Sequence, residues 1–299
     1  MFITLLQLEI FKILKRPRTY ISFGALALLI LLIQLAMRAN GGEFLELLLT
    51  NQSETFDVPK DKILNGYFVC FLILNMLLIH IPLLVALIAA DQISGEAGMG
   101  TLRFMVSKPV TRTQIILAKY AASVLYIIVM LVFMAVLGLI LSNVLFGVND
   151  MYIGRQNDFI IIPSNDVLWR YIMAFLFATL GLSVIAALAI MLSVFSENSI
   201  GPIVSTTTIV IVCTIIQQLS VPVFESTVTP WLFTTHMLGW KGFFYPQAFS
   251  VIGEDGGLIV KGTIEHVNAL YKSIAILFGY IGLFLGVAIY RFNRKDILT

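Results

Sequence analysis

The chain has 299 residues, of which 59% are hydrophobic and 12% are charged, whereas an average soluble domain is about 25% charged. This composition excludes a soluble globular protein, because too few polar side chains are available to cover the core of so long a chain. The net charge of +2, with no basic stripe interleaved with aromatic residues, excludes a nucleic-acid-binding protein. The chain therefore belongs in a lipid bilayer.

The segment at residues 1–17 has the pattern of an amphipathic helix. At about 100° per residue, one arc of about 120° holds six apolar residues. These are Phe2, Ile3, Leu6, Ile10, Ile13 and Leu14. Polar residues such as Glu9 and Lys12 lie outside the arc, and Pro17 would end the helix. The pattern predicts an interfacial helix whose cationic end meets an anionic leaflet; the alternative is a frayed leader that only supplies positive charge.

Six later runs are long enough for membrane-spanning helices, which need about 20 apolar residues each. They cover approximately residues 19–38, 67–90, 115–146, 169–195, 200–220 and 270–290. The first run follows a charged segment and lacks a small-residue cleavage site, so it is not read as a signal peptide. The sequence predicts an all-α integral membrane protein with a single domain over 1–299, six transmembrane helices, and both termini on one side.

The basic residues are unevenly divided between the two sides of this topology. With both termini in the cytoplasm, eleven of the nineteen basic residues and five of the seventeen acidic residues fall on the cytoplasmic side. Positively charged loops are retained in the cytoplasm. We therefore expect the N- and C-termini to be cytoplasmic.

Three loops on the opposite side differ in character. Residues 39–66 and 147–168 are polar and acidic, whereas the extracellular loop 221–269 carries Trp231, Trp240 and many other aromatic residues. Such a loop is expected to form short helices at the headgroup level or dipping into the membrane. Its aromatic residues would either anchor the sixth span or handle a substrate.

No catalytic or nucleotide-binding motif is present in the sequence. There is no HExxH, GxSxG or GxxxxGK[ST] pattern, and Gly95, Gly98 and Gly100 lack the lysine that a phosphate-binding loop needs. Cys70 and Cys213 lie inside apolar runs without CxxC spacing, which is typical of small buried hydrophobic residues. We therefore expect neither an enzyme nor a bound cofactor or metal.

The stretch between the second and third spans reads DQISGEAGMGTLRFMVSKPVTRTQIILAKY. Ser94 would cap the start of a helix, TLRFMVSK would form one or two amphipathic turns, and Pro109 would end them. The pattern predicts a short cytoplasmic coupling helix within residues 91–113. A helix joined to two spans can pass the movement of a soluble partner into the membrane.

Four side chains in this stretch are candidates for contact with such a partner. Glu96 would pair with a basic residue across the interface. Leu102, Phe104 and Met105 would serve as apolar anchors.

Polar residues inside the spans are candidates for a translocation path. These are Asn75, His80, Gln217 and Gln218. An intramembrane histidine can act as a proton relay, but His80 lies beside Pro82 and can equally satisfy a carbonyl that the proline frees. Each of the four can also simply hold helices together.

The 91–120 stretch resembles the signature of bacterial ATP-binding-cassette permeases of the type 2 export class. The matching positions are Glu96, Gly100-Thr101-Leu102, Pro109, Thr111-Arg112 and Lys119, and the ending YRFNRKDI at 290–297 is also similar. One departure is that charged residues commonly follow the glutamate in this family, whereas Ala97 and Gly98 follow it here. The span count, the N-terminal helix and the long last loop extend the resemblance over the whole chain.

The resemblance implies an exporter permease in the plasma (inner) membrane of a bacterium, in contact with membrane lipids and not with nucleic acid. Two permease subunits, forming a homodimer or a related heterodimer, would bind two copies of a separate ATP-binding subunit. That partner would use ATP and Mg, and this chain would bind no cofactor. The surface that couples the two would comprise Glu96, Gly100, Thr101, Leu102, Phe104, Met105, Pro109 and Arg112.

Two other functions stay open. A stand-alone channel or secondary transporter would need coupling charges within the spans. A membrane-embedded lipid-modifying enzyme or sensor subunit would need a polar constellation at one membrane face.

Overall fold

The computed structural model describes residues 2–49, 63–102, 104, 109–155, 158–219, 227–245, 251–252, 258–259, 264 and 267–295. The helices of this part of the chain are α1 (Phe2–Lys15), α2 (Pro17–Leu49), α3 (Gly66–Ala89), α4 (Asp91–Gly98), α5 (Arg112–Ala135), α6 (Leu141–Phe146), α7 (Ser164–Val194), α8 (Ile200–Gln218), α9 (Phe233–Met237) and α10 (Val267–Arg294). The strands are β1 (Met151–Arg155), β2 (Asp158–Ile162), β3 (Val251–Ile252) and β4 (Leu258–Ile259).

Six helical stretches in the described ranges are long and apolar enough to cross a membrane. Each one contains or closely overlaps a predicted span. They are formed by α2, by α3 with α4, by α5 with α6, and by α7, α8 and α10. The chain is a mainly helical, multi-pass membrane protein.

The first apolar helix is longer than the sequence predicts. α1 ends at Lys15 and α2 begins at Pro17, as expected from the proline. α2 then runs through to Leu49, with a kink at Asn40, where φ is −128° and ψ is 20°. The helix therefore takes up the first part of the predicted 39–66 loop, while residues 50–62 lie outside the described residues.

The second apolar helix continues into the predicted coupling segment, with only a local break where α3 meets α4. α3 and α4 are joined at Ala90, where the hydroxyl of Ser193 from α7 donates to the Ala90 carbonyl at 2.5 Å. The same Ser193 oxygen accepts hydrogen bonds from the backbone N–H groups of Ile93 and Ser94. A side chain inserted into the helix ladder breaks it locally. The predicted cap at Ser94 is wrong, because Ser94 lies inside α4.

The third apolar helix contains a π-helical segment, Val136–Ile140, between α5 and α6. A wider turn leaves a backbone carbonyl without its usual donor. Gln34 from α2 donates to the Leu137 carbonyl and to the Ser142 hydroxyl, both at 2.9 Å. The buried Gln34 side chain of the first apolar helix thus stabilises an irregular turn in the third apolar helix.

A small sheet at one end of the bundle departs from the all-α prediction. Its strand order is β1-β2-β4-β3, with β2 and β4 parallel. β1 and β2 form a hairpin in the 147–168 loop, and β3 and β4 come from the loop before α10. The two loops lie far apart in sequence, so no local sequence pattern predicts that their strands pair.

The short helices predicted in the aromatic loop are present. α9 lies between two 3₁₀ segments, Thr229–Trp231 and Leu238–Phe244. A Cβ on Gly181 of α7 would meet the Met237 side chain at 3.1 Å, and one on Gly239 would meet Phe177 at 2.6 Å. These short helices therefore pack closely along α7 as far as its middle. The rest of the loop, apart from β3, β4 and residue 264, lies outside the described residues.

Aromatic residues fill the end of the bundle that carries the sheet. The Tyr171 and Phe244 rings are 4.9 Å apart, and Phe71 packs against both Phe244 at 5.2 Å and Trp240 at 5.8 Å. The Arg170 guanidinium, which is fully buried, donates to the Phe243 carbonyl and pairs with Asp166. We call this the aromatic end.

Candidate functional site

Two carboxylates and two ammonium groups form a closed ring where α1, α4 and α5 meet. The Lys119 Nζ lies 2.8 Å from Glu9 Oε2 and 2.9 Å from Glu96 Oε2. The Lys12 Nζ lies 2.7 Å from Glu9 Oε1 and 2.8 Å from Glu96 Oε1. Charges of opposite sign alternate around this ionic ring, so its net charge is zero.

The ring is largely removed from water. The side chain of Lys119 is fully buried, and those of Glu9 and Glu96 are 3% and 5% exposed, whereas Lys12 is 37% exposed. Burial alone would lower the pKa of Lys12, but hydrogen bonds and charges from Glu9 and Glu96 outweigh it and raise that pKa above 10.5. All three helices are held by groups that would be costly to leave unpaired.

The ring determines which face of α1 packs on the bundle. The buried line of this helix is Leu5, Glu9 and Ile13. Half of the predicted apolar arc is turned away from the bundle, with Ile3 at 70% and Leu14 at 52% exposure, whereas Leu6 and Ile10 pack against the core and Ile13 is buried. This leaves an apolar surface free for lipid, as an interfacial helix needs.

A second ionic contact ties the junction of α1 and α2 to the start of α4. Arg16 donates to Asp91, and the Arg18 guanidinium lies 3.1 Å from the same carboxylate oxygen. The Thr19 hydroxyl also donates to the Ile13 carbonyl across the junction. The N-terminal helix is thus fixed at both its middle and its end.

Two cationic side chains bind the carboxyl ends of long helices. The Arg112 guanidinium donates to the carbonyls of Phe292, Asn293 and Lys295 at 2.9, 3.1 and 2.7 Å. The Lys295 ammonium donates to the Val194 carbonyl at 3.1 Å, at the end of α7. Positive charge at a helix C-terminus complements the helix dipole. These contacts, the ionic ring and the Asp91 contact make up what we call the ionic end.

The glycines between α3 and α5 have structural roles rather than a role in phosphate binding. A Cβ at Gly98 would approach the Glu197 carbonyl oxygen to 2.8 Å, so only glycine allows α4 to pass this close to the loop before α8. Gly100 has a φ of 71°, a left-handed conformation that favours glycine. The Thr101 hydroxyl then donates to the Glu96 carbonyl at 3.2 Å and closes the turn.

A groove of about 590 Å³ lies beside the ionic ring. One wall comes from α1 and the other from α4 and the residues that follow it. Its apolar lining includes four exposed residues: Leu8, Phe11, Met99 and Phe104. Its charged lining consists of Lys12, Lys15, Arg16 and the ring carboxylate Glu96. The groove therefore presents an apolar floor with an excess of positive charge.

The predicted coupling residues are divided between this groove and its support. Phe104 is 74% exposed and lines the groove, together with Thr101. Leu102 is buried, so its prediction as an exposed anchor is wrong. Glu96 is not free to pair with a partner's cation, because Lys12 and Lys119 already bind it.

The remaining coupling residues lie around the same turn. Gly100 forms the turn, Pro109 is exposed, and Arg112 contacts the end of α10 instead of facing outward. Met105 lies outside the described residues. Among the described residues, the predicted helix over 91–113 appears as α4, which continues α3, and as helical residues at 102 and 104; residues 103 and 105–108 lie outside the described residues.

The four predicted path residues do not lie in one place. Gln217 and Gln218 line a small cavity of about 60 Å³. Asn75 and His80 on α3 are not among the residues lining that cavity. His80 is exposed, and its Nδ1 lies 2.7 Å from the Met76 carbonyl oxygen, one turn back in its own helix. This contact fits the structural interpretation of His80, although Pro82 would free the Leu78 carbonyl rather than that of Met76.

Sequence reasoning did not identify the full ring. The sequence pattern places Glu9 on the polar face of an interfacial helix and Lys119 in the stretch that resembles the permease signature, and it does not pair them. The available signal was Lys119 itself, an ammonium group two turns inside an apolar helix, which requires a buried carboxylate nearby. Which carboxylates it would find depends on helix packing.

A family described as "Protein of unknown function (DUF2705)" matches residues 26–298. The chain belongs to the DUF2705 family. The match covers all six apolar helices except the first nine residues of α2. A comparison with curated proteins found no match for this DUF2705 chain.

Proposed function

We propose that this DUF2705 protein is the membrane-spanning permease subunit of an ATP-driven exporter of the ATP-binding-cassette class. The six apolar helices would form the translocation path, and a separate ATP-binding subunit would dock in the groove beside the ionic ring. One observation carries the proposal. The 91–120 stretch, which resembles the type 2 permease signature, forms one wall of an exposed groove with an apolar floor and basic rim.

The distribution of charge supports a cytoplasmic position for this groove. The ionic end gathers the basic residues of α1 and its junction with α2, of the first turns of α5, and of the end of α10 with the residue after it. These are Lys12, Lys15, Arg16, Arg18, Arg112, Lys119, Arg291, Arg294 and Lys295. By the positive-inside rule this end faces the cytoplasm, where an ATP-binding subunit would be found.

The ionic ring gives the groove a means of transmitting force. A partner bound between α1 and Phe104 would push on elements that Glu9, Glu96 and Lys119 join into one unit. Differential affinity of the partner for two arrangements of the bundle would then supply the coupling free energy. Two ATP-binding subunits, using ATP and Mg, would act on two permease subunits, and this chain would hydrolyse nothing.

Variants of the ionic ring or of the turn after α4 are unsuited to testing this proposal. Glu96→Lys would place three ammonium groups in the ring and disturb packing. Gly100→Pro would impose a φ near −65° where the chain needs 71°. Either variant would lose activity whether or not the groove binds a partner.

Exposed residues make a cleaner test. Phe104 in the groove and Trp231 near the aromatic end are both 74% exposed, so neither substitution should affect the core. We expect tagged protein from native membranes to bring down an ATP-binding subunit, and Phe104→Ser to reduce that recovery at least fivefold. Trp231→Ser is the matched control and should leave it unchanged.

Two outcomes would refute the proposal. One is that no ATP-binding subunit co-purifies from native membranes under conditions that preserve other membrane complexes. The other is that Phe104→Ser and Trp231→Ser behave alike. A stand-alone transporter or a lipid-modifying subunit would give the first result, and would show transport or lipid turnover in liposomes that contain this chain alone.

A further inference from the structure

A small cavity lies far from the ionic ring, where α9 and the 3₁₀ segment after it meet three long helices. Its volume is about 60 Å³. The apolar walls include Pro82 from α3, Leu182 from α7, Val210 from α8 and Met237 from α9. We call this the α9 cavity.

Two buried polar groups line the α9 cavity without a hydrogen-bond partner in the described part of the chain. They are the Trp240 indole N–H and the Thr234 hydroxyl, on residues that are 1% and 5% exposed. Buried donors are nearly always satisfied in folded proteins, by protein, water or ligand. Phe71 and Phe244 pack on the Trp240 ring and hold it in place.

The remaining lining restricts the chemistry of a ligand. Among the described residues that line the cavity, none carries a charge, and the only other polar side chains are Thr214, Gln217 and Gln218. The Thr214 hydroxyl is already used, because it donates to the Val210 carbonyl. An ionic group inside the cavity would therefore be buried without a counter-charge, which is strongly unfavourable, so the part of the ligand that enters must be neutral.

The volume of the α9 cavity limits how much of a ligand can enter it. A dry cavity of about 150 Å³ accommodates benzene, and one water needs about 10–15 Å³. A cavity of 60 Å³ can hold only a few non-hydrogen atoms. Ile79 and Gln218 line it and are exposed, so they mark an open side through which a longer molecule can extend.

We propose that the α9 cavity binds the neutral part of a lipophile through an ester or ketone oxygen that accepts hydrogen bonds from the Trp240 Nε1–H and the Thr234 hydroxyl. The adjoining apolar chain packs on Pro82, Leu182 and Met237 and leaves through the open side. This binding site does not depend on an ATP-binding partner, so it stands or falls separately from the exporter proposal.

The test uses the full chain in nanodiscs and two probes of equal length, diazirine-labelled methyl palmitate and diazirine-labelled octadecane. We expect saturable crosslinking of the ester at Met237 and its neighbours. Trp240→Phe should weaken apparent binding of the ester about fivefold, the effect of one lost hydrogen bond, and leave the hydrocarbon unchanged. Trp231→Phe, which removes an exposed indole outside the cavity, should change neither probe.

A second variant tests whether the hydroxyl is truly unpartnered. Thr234→Val keeps the shape of the side chain, so it should weaken ester binding without lowering the melting temperature of the ligand-free protein. A lower melting temperature would mean that the hydroxyl is already bonded and would overturn the proposal. So would crosslinks that do not saturate, or equal effects of Trp240→Phe on both probes.

Nanodiscs of different composition identify the source of the ester. If the ester of a membrane phospholipid occupies the cavity, the probe will bind more weakly in ester-linked than in ether-linked phospholipid discs. If the cavity is specific for a separate solute, the two kinds of disc will give the same affinity. Both results support the site and assign its ligand.

Discussion

The two ends of the helical bundle are held together by different chemistry. At the ionic end, Glu9, Glu96 and Lys119 join three helices through buried charges at 2.8 and 2.9 Å. At the aromatic end, rings such as Tyr171 and Phe244 pack at 4.9 Å. Removing a buried member of an ion pair leaves its partner as an uncompensated buried charge, whereas apolar packing loses stability in proportion to what is removed.

This difference bears on which end can change state. The aromatic end combines ring packing, a small sheet and the buried Arg170, all without requiring a closed set of charges. The ionic end has discrete partners that are either in place or apart, which is the property of a two-state element. Under the proposed function, movement would therefore begin at the ionic end and be resisted at the aromatic end.

The largest expected effect comes from Lys119→Met. It would leave Glu9 and Glu96 buried with only Lys12 between them, and we expect a loss of about 3–5 kcal/mol in the free energy of unfolding. SDS titration in mixed micelles measures this loss. The double variant Lys119→Met/Glu96→Gln restores charge balance and should recover part of it; no recovery would mean that Lys119 acts by packing alone.

A smaller effect is expected for Arg112→Met. The guanidinium donates to three carbonyls at the end of α10, and charged hydrogen bonds of this kind contribute about 1.5–3 kcal/mol in favourable cases. Hydrogen exchange should become faster in the last turn of α10 while α7 near the aromatic end keeps its protection. Uniform acceleration along the chain would contradict a local capping role.

At the aromatic end, Tyr171→Phe removes a single polar contact and keeps the ring. The Tyr171 hydroxyl donates to the Tyr67 carbonyl at 2.6 Å, so we expect a loss of about 1 kcal/mol. The same SDS titration compares it directly with Lys119→Met. Equal losses from the two variants would remove the contrast between the ends.

The smallest effect is expected for Lys12→Met, because this ammonium group is 37% exposed and water can take its place beside the two carboxylates, which it cannot do at the fully buried Lys119. Part-exposed ion pairs contribute about 0.2–1 kcal/mol. The folded pKa of Lys12 is raised above 10.5, so its contribution is complete at neutral pH and is lost only as the pH rises through that higher value. The rate of protease cleavage within α1, measured from pH 7 upward, should differ between wild type and Lys12→Met at neutral pH. In strong alkali the two rates should converge.

Local patterns in the sequence were sufficient for the helices but not for their partners. Hydrophobic run length located six apolar helices, and Pro17 marked the junction of α1 and α2. The same reasoning placed a cap at Ser94, because it could not foresee that Ser193 would enter the α3–α4 junction from another helix. The β2–β4 pairing and the ionic ring likewise join segments about 100 residues apart, which periodicity does not register.

The candidate site was predicted in part for a similar reason. The pattern predicts both Leu102 and Phe104 as apolar anchors, but only Phe104 is exposed in the structure, and its contact with a partner stays a prediction. Glu96 was predicted to pair with a basic residue of a partner, but the sequence could not show that two lysines of its own chain already bind it. Separating a surface charge from a buried one required the packing of α1.

The ionic ring also constrains how the protein is made. Glu9 leaves the ribosome 110 residues before Lys119, a delay of roughly 5–20 s at ordinary rates of synthesis. During that interval the Glu9 carboxylate has only its neighbour Lys12 on the same helix, so α1 has to wait at the membrane surface. The N-terminal helix, although first in the chain, takes its final place only after the third apolar helix has been inserted.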